Sequence, residues 1–242
     1  MIKGIVMSLV GQTALVTGGN KGIGRAICFA LAKEGVNIII AARNESESKE
    51  TQDQLKDMGS KAFEIPVDVR NEEDVRRLIS RTIDKCGRLD ILINNAGVAL
   101  KKRLEETTVE EYDKIIDTNL KGVFLCTKYA IPYLRRSKNG KIINISSIGG
   151  LHGIPEFSVY CASKFGVNGV TEAIAAELEG QIKVYSICPG AVDTDMYRSI
   201  YKSRPELKPE NVAQKVLEIA SPESRVASGK IIEISALPIP QI

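Results

Sequence analysis

Apolar positions along this chain fall into two alternating kinds of run. Residues 13–17, 36–42, 61–67, 89–93, 141–145, 182–187 and 230–234 are short and mostly continuously apolar, the pattern of strands covered on both faces. Between them the apolar residues recur at helical spacing: Ile23, Ala26, Ile27, Ala30 and Leu31, then Val75, Leu78, Ile79, Ile83 and Cys86. A polar helix ends near Met58-Gly59, Gly35 and Gly87 follow other helices, and residues 108–136 predict one long helix with Thr107 or Thr108 as its cap. Residues 157–179 form a helix with Val167, Val170, Ile174 and Leu178 inward, and Pro209 opens the last one. Strictly alternating strands and helices predict an α/β fold: a doubly wound, seven-stranded parallel sheet with helices on both faces. No repeat, low-complexity segment or linker interrupts the pattern, so residues 1–242 read as one domain. Residues 1–8 are expected to be disordered or to lie upstream of a natural start at Met7, and residues 235–242 form an apolar tail.

Composition narrows the class. At 242 residues the chain can bury a sizeable core, and the hydrophobic fraction of 43% is ordinary. The net charge of +3 is spread along the chain and argues against nucleic acid as a partner. Five scattered cysteines (28, 86, 126, 161 and 188) without a C-x-x-C pair fit reduced thiols used for packing, hence a cytoplasmic protein. His152, the one histidine, argues against a histidine-rich metal site or a Ser-His-Asp hydrolase, and no metal is expected. No apolar run reaches membrane-spanning length, and no membrane partner is expected.

The chemistry concentrates in two places. Tyr160 and Lys164 stand four apart in a helical run, hence on one face. A phenol of pKa about 10 is a poor proton carrier at neutral pH, and a neighbouring cation is expected to lower that value. Such a pair can exchange a proton with an alcohol or carbonyl oxygen. The second place is the turn Thr17-Gly18-Gly19-Asn20-Lys21-Gly22-Ile23-Gly24 between the first strand and first helix. Its glycines allow backbone to approach a pyrophosphate at a helix N-terminus, although the spacing differs from G-x-G-x-x-G. The second strand ends Ala42-Arg43 where a cofactor lacking a 2′-phosphate usually meets an acidic residue. Arg43, helped by Lys21, therefore favours NADP(H) over NAD(H), the alternative being two solvated surface charges.

Taken in order, Thr17 to Gly24, Asn94-Asn95-Ala96-Gly97, Asn119, Ser147, Tyr160-x-x-x-Lys164 and Pro189-Gly190 resemble the short-chain dehydrogenases/reductases. The resemblance runs from about Gly11 to Ala220 and is nearest to the single-domain branch that includes 3-oxoacyl-carrier-protein reductases. It implies a Rossmann-like domain and an oxidoreductase acting on CH–OH donors with a nicotinamide acceptor. Tyr160 would be general acid or base, Lys164 would lower its pKa and hold the nicotinamide ribose, and Ser147 rather than Ser146 would bind the substrate oxygen. Asn119 would order a water leading from Lys164. Asp68 and Val69 would flank the adenine, Asn95 with Ala96 and Gly97 would lie by its ribose, and Val192 and Thr194 would meet the nicotinamide side. Gly18, Asn20, Lys21, Gly22, Ile23, Gly24, Arg43, Pro189 and Gly190 complete the cofactor set. The family also implies a homo-oligomer, tetramer or dimer.

On their own terms some of these residues also have plainer readings. Asn119 falls on a core-facing helix position, where it either serves the site or ties backbone groups together. Asp68 ends a strand and reads equally as a turn aspartate. His152 reads as a surface loop residue. The segment between Thr194 and Pro209 is short for a lid, which suggests an open pocket; its Arg198, Lys202, Arg204 and Lys208 read as solvated charges before they read as anchors for an anionic acyl carrier. The expected substrate is a small-molecule carbonyl or secondary alcohol, a 3-oxoacyl thioester among the candidates. The alternatives are a sugar or small-alcohol dehydrogenase, or a catalytically silent nucleotide sensor.

Overall fold

Strands β1 (Thr13–Thr17), β2 (Asn37–Ala42), β3 (Ala62–Pro66), β4 (Ile91–Asn94), β5 (Lys141–Ile145), β6 (Lys183–Pro189) and β7 (Ile231–Ile234) build one parallel sheet in the order β3-β2-β1-β4-β5-β6-β7. The computed structural model describes residues 9–235. The expectations for residues 1–8 and for the tail beyond Ser235 lie outside that range. Because side chains alternate across a strand, the apolar strands feed two cores. Val16, Ile38, Ile40, Ile93 and Ile143 pack on one face against α1 (Gly22–Lys33) and, near the other edge, α8 (Pro209–Ala220). Leu15, Ile39, Leu92 and Ile142 face the other way, toward α3 (Glu72–Cys86) and α5 (Gly122–Leu134). The remaining helices are α2 (Glu45–Asp57), α4 (Val109–Ile116), α6 (Ser158–Glu177) and the short α7 (Asp195–Ile200).

The long helix expected over 108–136 is present with one interruption. Thr108 caps α4 in a reciprocal box with Glu111, at 3.2 and 2.9 Å. The helix widens into a π turn at Asp117–Lys121 before continuing as α5. That turn carries Asn119. Periodicity does not reveal a one-residue bulge, because the apolar face on either side stays in phase with the core; such bulges are frequent at functional sites.

The strand order reverses between β1 and β4, so the chain leaves these two neighbours in opposite directions and opens a crevice at their C-terminal ends. The edges of that crevice are cross-braced. Thr17 Oγ1 accepts from Asn95 N at 2.9 Å and Ala96 N at 3.0 Å, and Asn95 Nδ2 donates to Thr17 O at 2.9 Å. Thr17, given no role beyond its place in the turn, thus locks the two loops together.

At the opposite end of the sheet, Lys141 is 1% exposed. Its ammonium donates to Ala220 O at 2.7 Å and Ser221 O at 3.3 Å, covering the C-terminal carbonyls of α8. Burial, with Lys183 adding repulsion, lowers its pKa from 10.5 to about 8. Between those two values the unfolded chain holds a proton that the folded chain has released, so the Lys141 contribution to folding stability rises with pH across that window. It is read by difference: between about pH 8 and 10 the stability of the parent protein in denaturant titrations should rise more, or fall less, than that of Lys141→Met, and equal pH slopes would contradict the assignment.

Candidate active site

A cleft of about 440 Å³ occupies the crevice. At one end the first turn brings Gly18, Asn20, Lys21, Gly22 and Ile23 to its wall. Gly18 has φ 64°, a left-handed conformation that glycine adopts without steric cost. Gly24 does not line the cleft. A Cβ there would sit 2.1 Å from Gly18 O and 2.4 Å from Asn95 Nδ2, so its part is to let α1 start against the turn. Helices α2, α3 and α4 are capped by the side chains of Asn44, Asn71 and Thr108, whereas the first turn of α1 receives no side-chain cap. Its amides thus keep their donors toward the cleft, as a pyrophosphate would require.

The rim beyond this turn carries mixed charge. Arg43 is exposed on it, beside Asn44 and Glu47. Glu47 accepts from Asn20 Nδ2 and lies 3.9 Å from Lys21 Nζ. Nothing in the sequence marks Glu47 out, because an acidic residue in a helix's first turn reads as ordinary dipole pairing. Asp68 lines the cleft while also serving as a turn aspartate. It accepts from Arg70 N at 3.0 Å and from the Arg70 guanidinium at 2.6 Å, and these bonds hold its carboxyl below the usual range, with Arg43 the weakest contributor. Val69 follows it into the wall, and Asn95, Ala96 and Gly97 line the side formed after β4.

At the other end lie Tyr160 and Lys164, both on α6 and both in the wall. Lys164 is 5% exposed; its Nζ donates to Ile145 O at 2.9 Å and stands 5.8 Å from the centre of the Tyr160 ring. Burial lowers its pKa to about 8. Tyr160 departs from expectation. Burial raises its phenol above the ordinary value, with Ser147 pulling the other way and Cys161 and Cys188 adding to the rise. Ser147 stands near the phenol but is not among the residues lining the cleft, and its Oγ accepts from Gly149 N at 3.1 Å. Its neighbour Ser146 lines the cleft but turns its hydroxyl to Lys164 O at 3.1 Å. The two serines point apart, as strand alternation predicts.

Other expected residues stand further back. Asn119 is fully buried. Its Oδ1 accepts from Val98 N at 2.8 Å, and its Nδ2 donates to Val98 O at 2.9 Å and Ser163 Oγ at 3.0 Å. It ties backbone together, yet a Cβ on Gly97 would sit 3.4 Å from Asn119 Oδ1 and 3.7 Å from Lys164 Nζ, so the amide and ammonium flank one spot. Pro189 and Gly190 pair β6 with β7, Gly190 N reaching Ile234 O at 2.8 Å, and do not line the cleft. Val192 is buried in the core and bridges to Leu207, while Thr194 reaches the cleft and caps α7. His152 is exposed on its loop. Of the basic residues after Thr194, Arg198 is paired with Asp193 and Asp195, and Lys202, Arg204 and Lys208 are exposed. Tyr201 stacks on both Tyr197 and Phe157, at 4.9 and 6.4 Å between ring centres, and Phe157 meets Tyr160 edge-on. This aromatic series joins the short lid to the catalytic end.

A family model described as short chain dehydrogenase matches residues 12–205. A 3-oxoacyl-(acyl-carrier-protein) reductase of Thermotoga maritima is 33% identical over 94% of this chain and 98% of its own length. One from Synechocystis is 37% identical, covering 80% of this chain and 79% of its own. The crystal structure of 3-ketoacyl-(acyl-carrier-protein) reductase from Brucella melitensis complexed with NADH superposes with a TM-score of 0.88 at 29% identity, over 94% of this chain and 98% of that one. Among the described residues no helix is long and apolar enough to cross a membrane, and no group of three or more His, Cys, Asp or Glu could hold a metal ion.

The cleft's geometry makes a sharp demand on residue 24. Gly24→Ala drives a methyl into Gly18 O, and backbone cannot yield as a flexible side chain would. Affinity for a reduced nicotinamide dinucleotide, measured by fluorescence titration, should fall at least about tenfold, with about 1–3 kcal/mol lost in denaturant titrations from the overpacking.

Proposed function

The chain belongs to the short-chain dehydrogenase family of oxidoreductases, which use a nicotinamide cofactor, and from that premise we propose that it moves a hydride between NADP(H) and a carbonyl or secondary alcohol, a 3-oxoacyl thioester being the favoured substrate. The observation that carries this reading is Tyr160 and the buried ammonium of Lys164 in the wall at one end of a cleft whose other end is the uncapped start of α1. When bound, the nicotinamide supplies the hydride. The protein's own groups do the rest.

The α1 amides would take the pyrophosphate, with Asp68, Val69 and Asn95 walling the adenosine. Lys164 would hold the nicotinamide ribose by its remaining donors, since Ile145 O occupies only one of three. Ser147 would donate to the substrate oxygen while Tyr160 passes it a proton. Burial suits this direction: a phenol held protonated through neutral pH is an available acid for carbonyl reduction. Alcohol oxidation needs the phenolate and should rise as the medium becomes alkaline. Asn119, locked to Val98, would steady the far side of Lys164 and order a water there.

Arg43 and Lys21 support a 2′-phosphate, and Glu47 moderates Lys21. The 3-oxoacyl thioester reading is supported by the names of the Thermotoga and Synechocystis relatives and by the apolar, aromatic lid that an acyl chain would lie along. We also read the chain as one domain that assembles into a dimer or tetramer; Phe124 and Phe165, half exposed on α5 and α6, are the side chains such contacts would cover.

Reduction of a carbonyl panel that includes acetoacetyl-CoA, followed by nicotinamide absorbance, tests the proposal. Tyr160→Phe should lower kcat by about 10²-fold or more while NADPH binding survives; near-normal turnover would remove Tyr160 from proton transfer. Arg43→Asp should shift the ratio of kcat/KM values toward NADH by at least about tenfold, and an unchanged ratio would clear Arg43 of that selectivity.

A further inference from the structure

The helix row that carries Tyr160 and Lys164 has a third polar member. Asn168 lies one further turn along α6, 4% exposed, and faces the sheet. Its amide is fully engaged. Nδ2 donates to Gly150 O at 2.9 Å and to Cys188 Sγ at 3.6 Å, while Oδ1 accepts from Ser186 Oγ at 2.6 Å and from the Cys188 thiol at 3.6 Å. One side chain therefore joins α6, strand β6 and the turn that follows β5. An amide has two donors and two acceptor sites, and none is left over.

That turn holds Ser147. On one side of it, Ser146 Oγ donates to Lys164 O; on the other, Gly150 O takes the Asn168 amide. Ser147 sits between these two pins, and Gly150 N closes the turn on Ser147 O at 2.8 Å. The fit is tight. A Cβ at Gly150 would lie 2.7 Å from Ser146 Oγ, 2.8 Å from Lys164 O and 2.9 Å from Asn168 Nδ2. Glycine lets the turn press against the helix, and Asn168 holds it there.

We infer that Asn168 is a positioning residue: it fixes the 146–150 turn against α6 and with it the place of Ser147 beside Tyr160, a role that rests on the reading of Tyr160 as proton carrier. Asn168 touches neither substrate nor cofactor and acts through Ser147. The turn abuts the Tyr160 ring, since a Cβ at Gly149 would lie 3.3 Å from Tyr160 Cε1. When the pin at Gly150 is released, the turn can move away from α6 and carry Ser147 with it, and the phenol loses the pull of Ser147 that draws its proton affinity down.

The test follows the Tyr160 phenol by 13C-tyrosine NMR titration of the full-length protein, its signal assigned by loss in Tyr160→Phe. In Asn168→Ala the phenol should titrate higher by about half a pH unit or more, the scale of one hydrogen bond. With NADPH and acetoacetyl-CoA, kcat should fall about tenfold while NADPH affinity stays within about twofold. A role confined to stability would lower the folded fraction and leave the titration of the folded protein in place; an unmoved titration therefore overturns the inference. Ser186→Ala removes one of the bonds from Asn168 to β6, leaving Cys188, and should shift the phenol in the same direction by less. It decides the matter if Asn168→Ala does not fold, and an unmoved phenol there is equally fatal. The two levels separate cleanly. A Tyr160→Phe enzyme with near-normal turnover defeats the proton-carrier reading and takes this inference with it. An inactive Tyr160→Phe with an unmoved phenol in the Asn168 or Ser186 variant defeats the Asn168 role alone.

Discussion

The site depends on an ammonium taken out of water without a carboxylate beside it. A buried, unpaired cation is costly unless oxygens stand in for its hydration shell. Lys164 finds one in Ile145 O, the last residue of β5. That bond fixes the distance between a central strand and α6, and it obliges the chain to turn at Ser146. The turn then presses back on the helix through Ser146 Oγ and Lys164 O. One desolvated charge thus sets where the strand ends, how closely the helix approaches and where the serine loop lies.

The same strand ends bear a polar row that an apolar sheet would not be expected to carry. Asn94 and Asn144 are register partners on β4 and β5, bonded at 2.8 Å, and Asn144 goes on to Thr171 of α6 at 2.9 Å. Ser186, the β6 partner of Asn144, reaches Asn168. Buried polar groups of this kind are costly unless partnered, and apart from Asn94 Oδ1 the row is hydrogen-bonded, which leaves few alternative packings. Here it sits directly beneath the catalytic end of the cleft, where positional precision has the largest chemical consequence. At the cofactor end the chain does the reverse: it leaves α1 without a side-chain cap and sets Lys21 and Arg43 on an open rim. One end is buried and densely hydrogen-bonded, the other exposed and of mixed charge.

Some of this was legible beforehand because it depends on local spacing. The Tyr160–Lys164 pair needs only helical geometry, and the turn at Gly18 needs only a strand, a glycine and a helix in succession. Arg43 could be placed because it directly follows an apolar strand. Glu47 could not, since its meaning comes from Asn20 and Lys21 across the chain. The Tyr160 phenol illustrates a deeper limit. Neighbouring charge predicts a lowered pKa, but burial acts in the opposite direction and prevails, and burial is not a property of any short window.

Alternating apolar strands and amphipathic helices were enough to determine the doubly wound sheet, its two cores and the order in which the functional residues appear, because periodicities of 2 and 3.6 residues are written into neighbouring positions. Tertiary structure alone decided which polar groups meet. It assigned Asn119 to the Val98 backbone and Ser146 to Lys164 O, and it brought Asn168, Ser186 and Gly150 together from three separate elements. Hydrogen bonds act over about 3 Å, a distance that packing sets and that sequence separation does not encode.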